Sequence, residues 1–297
     1  MPRKLHRPVS CSTISEKIMK KSFFSLAIIG FSALFANGAE TRNAVAETAC
    51  SALPSSVLFE KQTWTEIQSD IACGVTTIII PVGGTEQSGP YIAVGKHNTR
   101  VMDMAQNIAE KSGKTLVAPV VSYVPEGGIS PRTSHMKFPG TITIPADVFE
   151  KLMASAAKSF QVQGFRLIVF IGDHGGYQKS LDKVATQLNK EWFGIQAQAL
   201  YVKQYYSVIP HQYAQWLSQH GYAKDVGMHA DISDTSLMLA IDPTMVRLDA
   251  LQKSGTPSSV QGIYGGDPRK ASASLGQIGI NMQITAAISA INDARNK

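Results

Sequence analysis

The 297-residue chain lacks the marks of several common protein classes. It has three cysteines, Cys11, Cys50 and Cys73, and none has the spacing of a thiolate metal site. There is no G-x-S-x-G elbow, which argues against the common serine-hydrolase plan. Neither G-x-x-x-x-G-K-[ST] nor G-x-G-x-x-G occurs, so the usual phosphate-cradling loops are missing. Beyond residue 38 no Lys/Arg cluster is interleaved with aromatics, and no nucleic-acid partner is expected. No internal repeat, low-complexity tract or Pro/Ser-rich linker breaks the remainder.

What is present begins with a leader. Residues 1–38 carry Arg3, Lys4, Arg7, Lys17, Lys20 and Lys21 against Glu16, then an apolar run over 23–35 and the small residues Ala36, Asn37 and Gly38. That order is the signature of a signal peptide. The run falls short of the roughly 20 residues a spanning helix needs, so no stable membrane anchor is expected after cleavage. Met19-Lys20-Lys21 offers an alternative start. Cleavage near Ala36-Asn37-Gly38 suits the length of the apolar run, whereas Ala44-Val45-Ala46 suits the A-x-A pattern. The expected destination is periplasmic or secreted. The leader holds five of the six net positive charges, so the basic pI says little about the rest of the chain.

Residues 39–60 are small, polar and aperiodic and read as a flexible arm; residues 61–297 are the right size for a single domain. Cys50 and Cys73 either close one disulfide or stay as two thiols, because sequence supplies no Cα distance. The continuous β-branched run at 76–82 predicts a strand covered on both faces, 166–171 is the strongest strand signal, and further strands are expected at 196–202 and, interrupted by Pro119, at 115–123. Helices are expected at 63–72, 98–112, 146–163, 177–192, 234–241 and 274–292. The alternation predicts an α/β fold, a three-layer α/β/α sandwich with a mainly parallel central sheet. Ligands of such sheets bind beyond the carboxyl ends of the strands, which points to residues 83–98 and 172–177.

Polar residues gather in those segments. Glu86 and His97 flank the first loop, Asp173 and His174 lie in the second, and His229 and Asp234 lie in a third polar stretch. Mixed carboxylate and imidazole is the donor chemistry of catalytic Zn²⁺, Mn²⁺ or Fe²⁺ sites. Taken singly, each histidine is as readily a solvated loop residue, and Glu86 could simply cap a helix.

Four blocks in order sharpen the choice: IPVGGTEQSGP at 80–90, HMKFPGT at 135–141, Gly164-Phe165 onward to Asp173-His174-Gly175-Gly176, and His229-Ala230 through Asp234-Thr235-Ser236. Together they resemble the creatininase (creatinine amidohydrolase) family. The resemblance implies metal-dependent cleavage of a C–N bond in a small amide or cyclic amide, and a homo-oligomer. It places Glu86 and His174 at metal-ligand positions, with Asp234 where the family has a glutamate. His229 falls near the substrate, suited to proton transfer to the leaving nitrogen, and His135 at the pocket rim. There are departures: Ser88 stands at a metal-binding histidine position, His97 at a bridging aspartate, Tyr91 at a histidine, Tyr177 at an asparagine and Asp231 at a glycine. With the bridging carboxylate gone, the expected site holds one divalent ion, zinc first and manganese or iron next, on Glu86, His97, His174 and Asp234. The catalytic pair is then His229 and His135, and Ser88, Tyr91, Tyr177 and Asp173 face the substrate. Two other readings use the same residues: a small-molecule-binding protein without catalysis, and a metal-dependent lactonase or isomerase.

Overall fold

The two strongest β-branched runs form the centre of the sheet. Strand β1 (Thr77–Val82) and strand β3 (Leu167–Gly172) pair in parallel from Thr77↔Leu167 to Val82↔Gly172, and every residue of both is buried. Their side chains alternate between two cores. Ile79, Leu167, Val169 and Ile171 enter one apolar cluster; Ile78, Ile80, Val82, Ile168 and Phe170 enter the other. This double coverage explains why the strands read as unbroken apolar runs.

The computed structural model describes Cys50 and residues 54–296, all within one compact unit, Thr48–Lys297. The expected signal peptide and most of the expected arm lie outside the described residues. Strand β2 (Thr115–Val117) pairs with Thr77–Ile79 of β1, and β4 (Gln198–Tyr201) pairs with β3. The expected strand over 115–123 is therefore shorter in the structure. Pro119 cannot donate to a ladder, and Pro81 of β1 offers only its carbonyl, which accepts from Val121 N at 3.0 Å. The all-parallel order is β2-β1-β3-β4.

Helices lie on both faces, giving the expected three-layer sandwich. Helix α1 (Trp64–Ala72) opens with a reciprocal capping box between Thr63 and Glu66. Helix α2 (Lys96–Ser112) sends Val101, Met104, Ala105 and Ile108 into the first core. Helices α3 (Ala146–Gln163) and α4 (Gln178–Glu191) cover the other face with Phe149, Met153, Leu181 and Val184. The short α5 (Lys203–Ser207), α6 (Ile232–Ile241) and the long α7 (Ala273–Arg295) complete the first face. Among the described residues no helix is long and apolar enough to cross a membrane.

The end of the expected flexible arm is packed. Val57 O accepts from Val117 N at 2.8 Å, Leu58 is buried, and the Phe59 ring meets Phe160 edge-on. Three consecutive apolar side chains beside an open sheet edge account for this. Cys50 and Cys73 form a disulfide with Cα atoms 5.1 Å apart, tying the chain before Leu58 to the end of α1.

From β1 the chain crosses to β2 on one side, and β3 returns to the other. The carboxyl ends of β1 and β3 thus flank the switch point of the sheet, where a crevice opens.

Candidate metal centre

Beyond Val82, the β1 chain turns inward through Gly83-Gly84-Thr85 to Glu86, which is fully buried. The turn is held from α2, where Asn98 accepts from Gly84 N at 2.9 Å and donates to Thr85 Oγ1 at 3.1 Å. Gly84 has φ +148°, and a Cβ there would stand 2.7 Å from Glu126 Oε1. Glycine at this position makes room for a second buried carboxylate, carried by the segment between β2 and α3. That segment also delivers His135, while His174 leaves the end of β3.

Donor atoms of Glu86, Glu126, His135 and His174 all lie within 4.8 Å of one another. Glu86 Oε2 is 3.1 Å from His135 Nε2 and 3.3 Å from His174 Nε2; His174 Nδ1 is 3.3 Å from Glu126 Oε1. Glu86 Oε2 and both Glu126 oxygens are buried without a hydrogen-bond partner. Burial and the facing Glu86 carboxylate push the Glu126 carboxyl up to about 9. Burial would raise Glu86 too, but His174, the His97 hydrogen bond and Lys96 outweigh it and hold that group below the ordinary range. Burial lowers His174 to about 3 and His135 below its usual value, so both imidazoles are neutral donors at neutral pH. Two facing carboxylates with unpartnered oxygens and two neutral imidazoles fit a divalent cation: the ion would supply the missing partner and allow both acids to ionise.

Beside this donor set lies an ion-pair network built from one helix. Lys96, His97 and Arg100 of α2 all point inward. Lys96 Nζ is 2.8 Å from Asp234 Oδ2 and 3.6 Å from Glu86 Oε1. His97 bridges Glu86 Oε1 (2.8 Å, Nε2) and Asp173 Oδ2 (2.6 Å, Nδ1). Arg100 Nε donates to both Asp173 oxygens and its Nη1 to Asp234 Oδ1 at 3.0 Å. The Tyr205 hydroxyl adds a donor to Asp173 at 3.0 Å. Burial would raise Asp173, but Arg100 and His97 bring it down to about 2.

His229 completes the ring of groups. Its Nε2 lies 2.9 Å from the Gln87 carbonyl oxygen, which can only accept, so Nε2 carries the proton. The other nitrogen, Nδ1, faces Glu86 Oε1 at 3.6 Å. Ala230, the next residue, has φ +53°, a strained conformation for alanine, and its N–H donates to Asp234 Oδ2 at 2.9 Å. Gln87 Nε2 lies between His135 Nδ1 (3.1 Å) and His229 Nε2 (3.2 Å).

The structure thus keeps Glu86 and His174 together as expected and joins His135 to them. It places His97 and Asp234 in the ion-pair network: Lys96 and Arg100 take up the two Asp234 oxygens, and His97 spends both ring nitrogens on Glu86 and Asp173. Asp173 belongs to that network too. Tyr177 is 1% exposed and spends its hydroxyl on backbone: it donates to Val82 O (2.7 Å) or Gly83 O (2.6 Å) and accepts from Asp173 N and His174 N (3.0 Å each). It clasps the ends of β1 and β3 rather than facing a ligand. Tyr91 packs on a small side core with Ile92, and the Ser88 hydroxyl is buried without a partner. Glu126, Lys96, Arg100 and Gln87 were not anticipated. The one available signal for Glu126 was an acid in a Pro-Glu-Gly-Gly turn just past a strand-like run.

The crevice above these groups has a volume of about 550 Å³. It is lined by the charged groups Lys96, His97 and Asp173 and by the larger side chains Tyr206, Ile209 and Met228.

A parallel α/β/α sandwich with buried carboxylates and imidazoles at its switch point defines the class. The model of the creatininase family, described as creatinine amidohydrolase, matches residues 60–291, and the chain belongs to that family. Over 192 residues it is 28% identical to 3-dehydro-scyllo-inosose hydrolase of Thermotoga maritima, covering 64% of this chain and 58% of that protein. The chain therefore spans less than two thirds of that relative. Over 224 residues it is 27% identical to the mycofactocin precursor peptide peptidase of Mycolicibacterium smegmatis, covering 68% of this chain and 79% of the other. A manganese form of creatininase superposes with a TM-score of 0.65 at 22% identity, covering 81% of this chain and 99% of that one, which shows a shared fold.

Proposed function

We propose that this protein is a metal-dependent hydrolase that cleaves a C–N bond of a small amide or cyclic amide, and that it works in the periplasm or outside the cell. The observation that carries the reading is the set of Glu86, Glu126, His135 and His174, whose buried carboxylate oxygens lack partners. These four would hold one divalent ion, zinc in the first place and manganese or iron as substitutes. When bound, such an ion acidifies water and polarises a carbonyl.

The remaining work falls to the chain itself. His229 is held in one tautomer by the Gln87 carbonyl, so its Nδ1 is turned toward the Glu86 side of the crevice. Burial lowers its pKa to about 3, so at neutral pH the imidazole is unprotonated and a weak base, and a proton placed on it would pass readily to the departing nitrogen. The Lys96–Arg100 network fixes Asp173 and, through it, the end of β3 that carries His174. Tyr206, Ile209 and Met228 give the crevice apolar surface suited to the hydrocarbon part of a substrate. The names of the matched relatives, two hydrolases including a peptidase, support hydrolysis and leave the substrate open.

The test is metal content and turnover of the purified protein over a panel of small amides, lactams and lactones. His174→Ala is expected to lose both ion and turnover, and His229→Ala to keep the ion and lose turnover. Ligand-induced thermal stabilisation without turnover on any panel member would favour a binding protein instead.

A further inference from the structure

Lys96 has no part in the donor set, yet it is fully buried beside it. An ammonium group out of water costs several kcal/mol unless its partners repay it. Its partners are Asp234 at 2.8 Å and Glu86 at 3.6 Å, so its charge lies between the donor set and the ion-pair network.

Charge balance around the crevice is informative. Four carboxylates, Glu86, Glu126, Asp173 and Asp234, face two basic side chains, Lys96 and Arg100. A fifth acid, Asp231, is spent on capping α6, where it accepts from Asp234 N, Gly227 N and Ser233 Oγ. With all four carboxylates ionised, two negative charges stay uncompensated, which is the charge of a single divalent ion. The acids also divide by occupancy. Glu86 and Glu126 keep oxygens without partners. Both oxygens of Asp173 are taken by Arg100, His97 and Tyr205, and both of Asp234 by Arg100, Lys96 and Ala230 N. A second ion bridging from Glu86 toward Asp234 would have to stand where the Lys96 ammonium already stands.

We propose that Lys96 is a built-in second cation: its ammonium group occupies the Glu86–Asp234 gap and restricts the centre to one divalent ion. The proposal rests on the metal reading above and adds a residue that sets ion number. An ammonium group donates hydrogen bonds but offers no open coordination position, so this cation holds the two acids without binding water as a metal would.

Metal-free full-length protein, prepared by chelation, is titrated with Zn²⁺ and with Mn²⁺ by calorimetry, and bound metal is counted by elemental analysis after desalting. Wild type is expected to saturate at one ion per chain. Lys96→Met keeps the buried stem and removes the charge; it is expected to take up a second ion, held by Glu86 and Asp234. Lys96→Gln, which retains a polar end, is the second variant should Lys96→Met fold poorly, with circular dichroism reading the fold of each. Two ions in wild type would overturn the proposal and leave the hydrolase reading standing. One ion in wild type and one in either folded variant would also overturn it. No ion in wild type would refute the metal reading itself.

Discussion

The Tyr177 hydroxyl offers the cleanest separation between a ligand-facing residue and a structural clasp. Tyr177→Phe deletes one oxygen and keeps the ring in place against Phe149. Asp173 N retains a second acceptor, Val82 O at 3.0 Å, so that donor is not orphaned. His174 N and Gly83 O have no other partner among the described residues and would be left unpaired. Each unpaired buried group costs about 1–3 kcal/mol. Because His174 is partly exposed, its N–H can regain some hydration, and a total of about 3 kcal/mol follows. For a domain of this size that corresponds to a fall in Tm of roughly 6–12 °C. The assay is thermal unfolding of metal-free wild type and variant at one pH, paired with an ion titration. The clasp sets the backbone of His174, so ion affinity should fall as well. A variant that unfolds within a degree of wild type but shows an altered KM would refute the reasoning, because it would mean that the hydroxyl meets substrate.

Three further outcomes are expected. Gly84→Ala places a methyl group 2.7 Å from Glu126 Oε1 at φ +148°, so ion affinity should drop and the fold should weaken, read by calorimetry and melting. Glu126 has a raised pKa when folded, so metal-free protein is favoured by that proton below the ordinary carboxylate range and loses this stability as pH climbs toward about 9. Ion binding should release that proton at neutral pH, which a pH-stat or calorimetry in buffers of different ionisation enthalpy detects; no proton release would contradict the shift. Cys73→Ser opens a loop of 23-residue separation and should cost about 3 kcal/mol in denaturant unfolding under oxidising conditions, with no change under reducing ones.

How far the sequence reveals this molecule depends on which side chains advertise their surroundings. β1 and β3 were legible because both faces are covered, leaving unbroken β-branched runs with turn residues at each end. Glu86 and His174 were legible for a related reason: both lie within four residues of the ends of those strands. Glu126 was not, because it lies in an irregular segment whose path is set by tertiary contacts, among them Glu126 N to Thr143 Oγ1 at 2.9 Å. Lys96 and Arg100 were concealed differently. On an amphipathic helix, charged residues normally mark the solvent face, and only the structure shows that the first turn of α2 aims them inward at Asp173 and Asp234. The family position that Tyr177 fills implies a ligand-facing residue, whereas its hydroxyl stitches two strands.

The four donors come from three separated stretches of chain, with Glu86 past β1, Glu126 and His135 beyond β2, and His174 past β3. No local fragment contains the site, so an unfolded or half-made chain has nothing with which to capture an ion in this arrangement. Loading must follow the closing of the sheet. The metal acquired would then reflect what is free in the compartment where the last strand docks, more than the intrinsic affinity order of divalent ions. For a chain that is moved before it folds, the place of folding would choose the cofactor.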